Sequence, residues 1–207
     1  MPSFIDPDWN APLDTDAFIR AVPATAVIKG MYPAAIAAEA KRRGLKLPHA
    51  GDKYVPFHDY PLHDHLHLLV EAARAFSPDL PIRASLRKIG RGAVNVFLNS
   101  TLGRAALGGL TQPETTRMAL VGMTRAYTTA IGKPAPHVEV KETSDSSCIV
   151  KVSDFWIFLD SHQIGILEGV SRACGVRCDV QVASDGLASG ELACSWEPAP
   201  PSRPSVL

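Results

Sequence analysis

The sequence predicts an α+β fold in which N-terminal helices pack on a four-stranded antiparallel sheet. Three observations carry this. Apolar residues recur at helical spacing through the first part of the chain, as in Leu62, Leu66, Leu69, Ala73 and Phe76. After Gly132 the texture changes to alternation: HVEVKET and SCIVKVSDF flank a polar turn at Ser144 to Ser146, and RCDVQVAS and GELACSWE flank Asp185-Gly186. Between these hairpins, Ser161 to Cys174 reads as a helix ended by Gly175. The order hairpin, helix, hairpin places both hairpins in one sheet with helices packed on it.

The elements follow in order. Residues 1–12, with Pro2, Pro7 and Pro12, form an irregular arm. Asp14 caps a short helix, DAFIRAV, which Pro23 ends. Ile28 to Gly44 reads as a helix closed by Lys41-Arg42-Arg43 and Gly44. Lys46 to Asp59 is a loop. Pro61 suits the first turn of the next helix, which Ser77-Pro78 ends. A long helical region then spans Ile82 to Leu110. Its glycines at 90, 92, 103, 108 and 109 weaken the helix but admit close approach of another backbone or a ligand. Pro113 to Ala130 forms a further helix. From Pro198 the proline-rich tail is expected to be disordered. The chain thus divides into the arm, a single α+β ligand-binding-like domain over 13–197, and a tail over 198–207.

Lys plus Arg and Asp plus Glu both number 21, and zero net charge argues against nucleic-acid binding, which needs a basic surplus. The clusters Lys41 to Arg43 and Arg83 to Arg91 read as solvated helix faces. No apolar run is long enough to span a bilayer. The N-terminus lacks a secretory pattern, so Cys148, Cys174, Cys178 and Cys194 are expected as reduced thiols in a cytoplasmic protein.

The most suggestive stretch is PLHDHLHLL, with His63, His65 and His67 at alternate positions and His58 and Asp59 just upstream. On a helix, His63 and His67 share a flank while His65 points away beside the leucine stripe. His63 and His67 could chelate a transition metal, completed by His58 or Asp59. The preferred reading is two exposed histidines on a solvated flank, with His65 partly buried and hydrogen-bonded. A haem reading needs an apolar slot facing His65. A zinc site on the four cysteines is open but not favoured, since their C-x-x-x-C spacing is not the paired C-x-x-C of zinc modules. Glu168 could hydrogen-bond a neighbouring strand, cap a polar group of a pocket, or emerge at the surface, with the structural reading preferred because buried carboxylates are usually paired; Arg104 could pair with a carboxylate such as Glu168 or bind a ligand's acid group. There is no G-x-S-x-G elbow, phosphate loop or HExxH, so an enzyme is not the favoured reading.

The stretch DYPLHDHLHLLVEAARAFSPDLPIRASLRKIGRGAVNVFLNSTLGRAAL carries a YP before its helix, an SPDLP turn, an LRKIGR segment and an F-x-x-x-x-L-G-R run. With GILEGVSRACGV and the closing ELACSW, it resembles a paralogous family of uncharacterised proteins found largely in myxobacteria, over residues 25 to 197. That family is in turn similar to the superfold of the TRAPP core subunits, the haem-NO-binding domain and the vinyl-reductase-type sensor domain. The zinc-binding cysteine pattern of the last of these does not align here. The resemblance implies a TRAPP-like architecture, a homodimer, and an apolar ligand or cofactor held between helices and sheet. It implies no catalytic residue.

The function expected is therefore a non-enzymatic, regulatory sensor or carrier binding a hydrophobic small molecule. Its pocket would be lined from Val94 to Leu107, Trp156 to Leu167 and Met118 to Tyr127, with Phe97, Arg104, Met118, Tyr127, Trp156, Phe158 and Glu168 as candidate ligand contacts. The alternatives are a haem or metal protein using the histidine helix, and an interaction module with a filled core. The apolar run FWIFLD must be buried within the chain, face a partner, or line the pocket.

Overall fold

The structure, a computed structural model, describes residues 3–198 except 101–102, 106–108 and 132–134; at 124, 125, 127–130 and 142 it describes the backbone alone. It has the α+β architecture predicted from the sequence. Helix α1 (Thr15–Ala21) starts where the Asp14 carboxylate accepts the Ala17 N–H at 2.8 Å. Helices α2 (Met31–Arg42), α3 (Leu62–Phe76) and α4 (Ile82–Asn99) follow, then α5 (Thr116–Ala130), entered through a 3₁₀ turn at Pro113–Thr115. Strands β3 (His137–Ser144) and β4 (Ser147–Ser153) form one hairpin, and β5 (Val176–Ser184) and β6 (Gly190–Pro198) the other. The sheet runs β3-β4-β6-β5, antiparallel throughout.

Between the hairpins lies α6 (Ile164–Ala173), preceded by a π-helical turn at Leu159–Gln163. Residues Ile164 to Ser171 are all buried, because α6 is sandwiched between the sheet and α4. Alternate residues of the strands, such as Val150, Val180 and Leu192, face it. One apolar cluster runs from Phe18 through this layer to Cys194.

Three expectations are corrected. Residues Val27–Lys29 are not the start of a helix but strand β1, paired antiparallel with β2 (Asp59–Pro61) at Ile28↔Tyr60; the helix begins only at Met31. The helix from Ile82 stops at Asn99, since Ser100 turns extended and its hydroxyl accepts the Gly103 N–H; Leu107 and Gly108 lie outside the described residues. The face Arg83 to Arg91 is not simply solvated. Arg83 pairs with Asp160, and Arg87 and Arg91 both pair with Glu168.

The N-terminal arm is irregular but docked. Ile5 bridges to Val182 on β5, Arg83 donates to the carbonyls of Ala11 and Pro12, and the Trp9 ring lies 4.1 Å from the Arg87 guanidinium. The FWIFLD run is buried by the chain itself. Phe158 packs on Phe18 at 4.5 Å between ring centroids, and Trp156 meets Phe18 edge-on at 6.4 Å.

Candidate functional site

Two glycine contacts place α4 against α6. A Cβ on Gly90 would fall inside the His162 carbonyl, and one on Gly165 inside the Arg87 carbonyl. The backbones therefore touch, and this fixes the π turn beside α4. The turn's wide geometry, with the Gln163 N–H donating to the Phe158 carbonyl at 3.1 Å, turns His162 inward. Opposite it, His65 emerges from α3 next to the leucine stripe and is only 5% exposed.

The two histidines meet at the floor of a cavity of 390 Å³. Its walls are α2, through Met31, Tyr32 and Ile36, and α4, through Ile89, Ala93, Val96 and Phe97. Leu69 and Phe76 of α3, with Ile28 and Ile157, complete an apolar lining. The volume lies within the range of small-molecule sites. Gly92 also lines it, and a Cβ there would meet nothing within 4 Å, so the position opens onto free space.

The two floor imidazoles are unsatisfied at Nδ1, and three buried polar atoms of neighbouring residues outside the lining are unsatisfied as well. Among the described residues, the Nδ1 atoms of His65 and His162 have no hydrogen-bond partner, nor have Trp156 Nε1, Ser161 Oγ and Gln163 Oε1. Buried polar atoms are normally paired, so the two ring nitrogens on the cavity lining mark a place suited to something polar. Burial pushes His65 down to about 3, with the neighbouring His162 adding to the effect; burial alone pushes His162 down to about 4. Both rings are therefore neutral at physiological pH and keep a lone pair for a hydrogen bond or a metal.

This has a consequence for acid stability. With folded values below the ordinary 6.5, the unfolded chain takes up these protons first as the pH falls. The stabilisation is complete above pH 6.5, falls by about 1.4 kcal/mol per pH unit for each ring, and is lost by the folded values. Urea midpoints between about pH 7 and pH 5 should drop, and the slope should flatten when His65 and His162 are both replaced by leucine. An identical slope in the double variant refutes the assignment.

Of the candidate contacts, Phe97 lines the cavity. Trp156 is half-buried beside the lining residue Ile157, and Phe158 lies in the core against Phe18. Glu168 is paired, but with Arg87 and Arg91; Arg104 instead donates to the Asn99 carbonyl at 2.6 Å from an exposed position. Met118 is 53% exposed on α5, and the Tyr127 side chain lies outside the described residues. In the histidine flank, Asp59 is held by Lys29 at 2.6 Å and the His67 ring stacks on His49 at 4.7 Å; His63 is half-buried and His58 exposed. Among the described residues, no group of three or more His, Cys, Asp or Glu is arranged to hold a metal ion. All four cysteines are buried thiols outside any disulfide. His65 is buried as expected, but its Nδ1 lacks the hydrogen bond predicted for it, and an apolar slot does face it. Sequence reasoning missed the α2 wall and His162. The signal for the latter was the polar triplet Ser161-His162-Gln163 inside an otherwise apolar run.

The model of a protein family described as "Protein of unknown function (DUF2378)" matches residues 20–197. The chain belongs to this family. No curated protein matches the chain. Among solved structures, an H-NOX protein from S. oneidensis in the Fe(II) ligation state, a triple mutant, superposes with a TM-score of 0.66 at 12% identity, covering 84% of this chain and 98% of its own. The Fe(II) unliganded H-NOX protein from K. algicida gives 0.59 at 13% identity, covering 82% and 97%. A third, from work on haem redox potential modulated by protein-induced porphyrin distortion, gives 0.55 at 10% identity, covering 81% and 87%. At these identities the likeness speaks for the fold, so this DUF2378 member has an H-NOX-like fold. Among its described residues no helix is long and apolar enough to cross a membrane.

Proposed function

We propose that this chain is a sensor or carrier module, without catalytic activity, that binds an apolar small molecule between α2 and α4. The observation that carries the reading is the apolar cavity whose floor presents two buried, neutral, unpartnered imidazoles. Its apolar walls supply the affinity, and His65 and His162 orient a polar atom of the ligand. The unit is residues 13–197 of a cytoplasmic protein, and the regulatory homodimer implied by the sequence resemblance is proposed with it.

Gly92→Phe tests the reading, because the ring enters free space instead of displacing backbone. The native protein is expected to yield an organic adduct in native mass spectrometry that is lost in this variant, at a melting temperature no lower than the native one. Equal adduct in both, or none in either after incubation with a panel of apolar molecules, refutes it.

A second reading has its own support in the donor set. Two imidazoles do not make a site for a bare metal ion, but an iron porphyrin brings four nitrogens and needs only one or two protein ligands. His65 and His162 fit that need, and the structural neighbours include a haem protein. When bound, the group would supply an iron centre open to a further ligand. The chain's own part is to hold the macrocycle between α2 and α4 and to keep both rings unprotonated. Titration with haemin should then give a Soret band that shifts in His65→Ala or His162→Ala. A spectrum indifferent to both variants removes this reading.

A further inference from the structure

The charges at the rim of the same cavity are unequal. Glu39, Arg43 and Lys88 line it. Both Glu39 oxygens are taken, by Arg42 at 2.6 and 2.7 Å and by Arg43 at 2.7 Å. These hydrogen bonds, first from Arg42 and then from Arg43, hold its carboxyl down to about 2. A cationic ligand therefore finds no free carboxylate on this rim. Arg43 is partly committed too, with its guanidinium 4.4 Å over the Phe76 ring and a nitrogen 3.4 Å from the Phe76 carbonyl. Lys88 stands on the opposite wall, one helical turn before Gly92, and no carboxylate among the described residues pairs with it. The floor offers no counter-charge, because both imidazoles there are neutral. The positive charge free to meet a ligand is at the mouth.

We infer that the ligand is an apolar carboxylic acid with a second polar atom at its inner end: that atom meets His65 and His162 at the floor, the hydrocarbon body lies between α2 and α4, and the carboxylate sits at the rim on Lys88, with Arg43 alongside. The inference rests on the binding reading above and names the class of molecule bound. An exposed ammonium adds modest affinity but discriminates among molecules that share one apolar body.

Decanoate, decanol and decylamine share a tail and differ in head group, and calorimetry on the full chain separates them. Decanoate is expected to bind about fivefold more tightly than decanol, decylamine most weakly, with the preference fading as salt is raised. Lys88→Glu should weaken decanoate about tenfold, favour decylamine and leave decanol unchanged. Lys88 is exposed, and an unchanged thermal melt shows that the variant is folded. Decanol binding as tightly as decanoate, or decanoate indifferent to Lys88→Glu, overturns the acid assignment while the cavity still binds. No binding of any of the three overturns the assignment and the binding reading together.

Discussion

Replacing Gly90 by alanine is expected to destabilise the protein by about 1–3 kcal/mol, against the usual direction for a glycine inside a helix. The added methyl would overlap the His162 carbonyl and press on the Ile166 backbone, and neither is the loose end of a side chain. Either α4 or the π turn must move. Gly165→Ala should behave alike, because it meets the Arg87 carbonyl at the same crossing. Gly92→Ala, two residues along the same helix, is the control: it meets nothing and should stabilise by about 0.5–1 kcal/mol through helix propensity. Urea unfolding of the three variants decides the matter. Stabilisation by Gly90→Ala would mean that α4 and α6 do not touch as described. The carbonyl in question belongs to a cavity histidine, so ligand binding should fall with stability in Gly90→Ala but not in Gly92→Ala.

Glu168→Ala should cost about 3 kcal/mol, as expected when one partner of a buried ionic group is removed. Glu168 is 9% exposed and receives hydrogen bonds from Arg87 and Arg91, one turn apart on α4. Without it, two guanidiniums are left side by side at a helix crossing, one of them over the Trp9 ring. Replacing all three, with Glu168→Leu, Arg87→Met and Arg91→Met, should recover most of the loss, since desolvating the charges is itself costly. Denaturant midpoints for the single and triple variants check both statements. A neutral Glu168→Ala would show that the pair adds nothing to the fold.

The readable parts of this chain are those whose signal is local. The stripe from Leu62 to Phe76 repeats over four turns, and all its leucines are fully buried. The hairpins announce themselves by alternation, and Val150, Val152, Val180, Val182 and Leu192 are buried accordingly. Strand β1 was unreadable because VIK is too short to show a period, and its partner Asp59–Pro61 lies thirty residues on. The end of α4 was missed because the small residues after Ser100 continue a helix-compatible pattern. The cavity hid for a different reason. His65 and His162 are separated by almost half the chain, and only the crossing at Gly90 and Gly165 brings them together. Phe97 was found by its apolar position on α4, whereas the α2 wall gave only an alanine-rich helix with a weak stripe.

The docking of Ile5 on Val182 sets an order of assembly during synthesis. The arm is made ahead of the domain's helices, yet strand β5, which receives it, is followed by only one further described element, β6. The leucine stripe of α3 belongs to the same apolar cluster as Ile157 and Leu167, and that cluster is likewise incomplete until they are made. At about 5–20 residues per second, translation leaves the helical half without its sheet for on the order of ten seconds. Through that interval Trp9 and the inner face of α3 are open to water, and the nascent helices are a surface that chaperones can hold. Completion of β5 and β6 then seats the arm and finishes the sheet in one step.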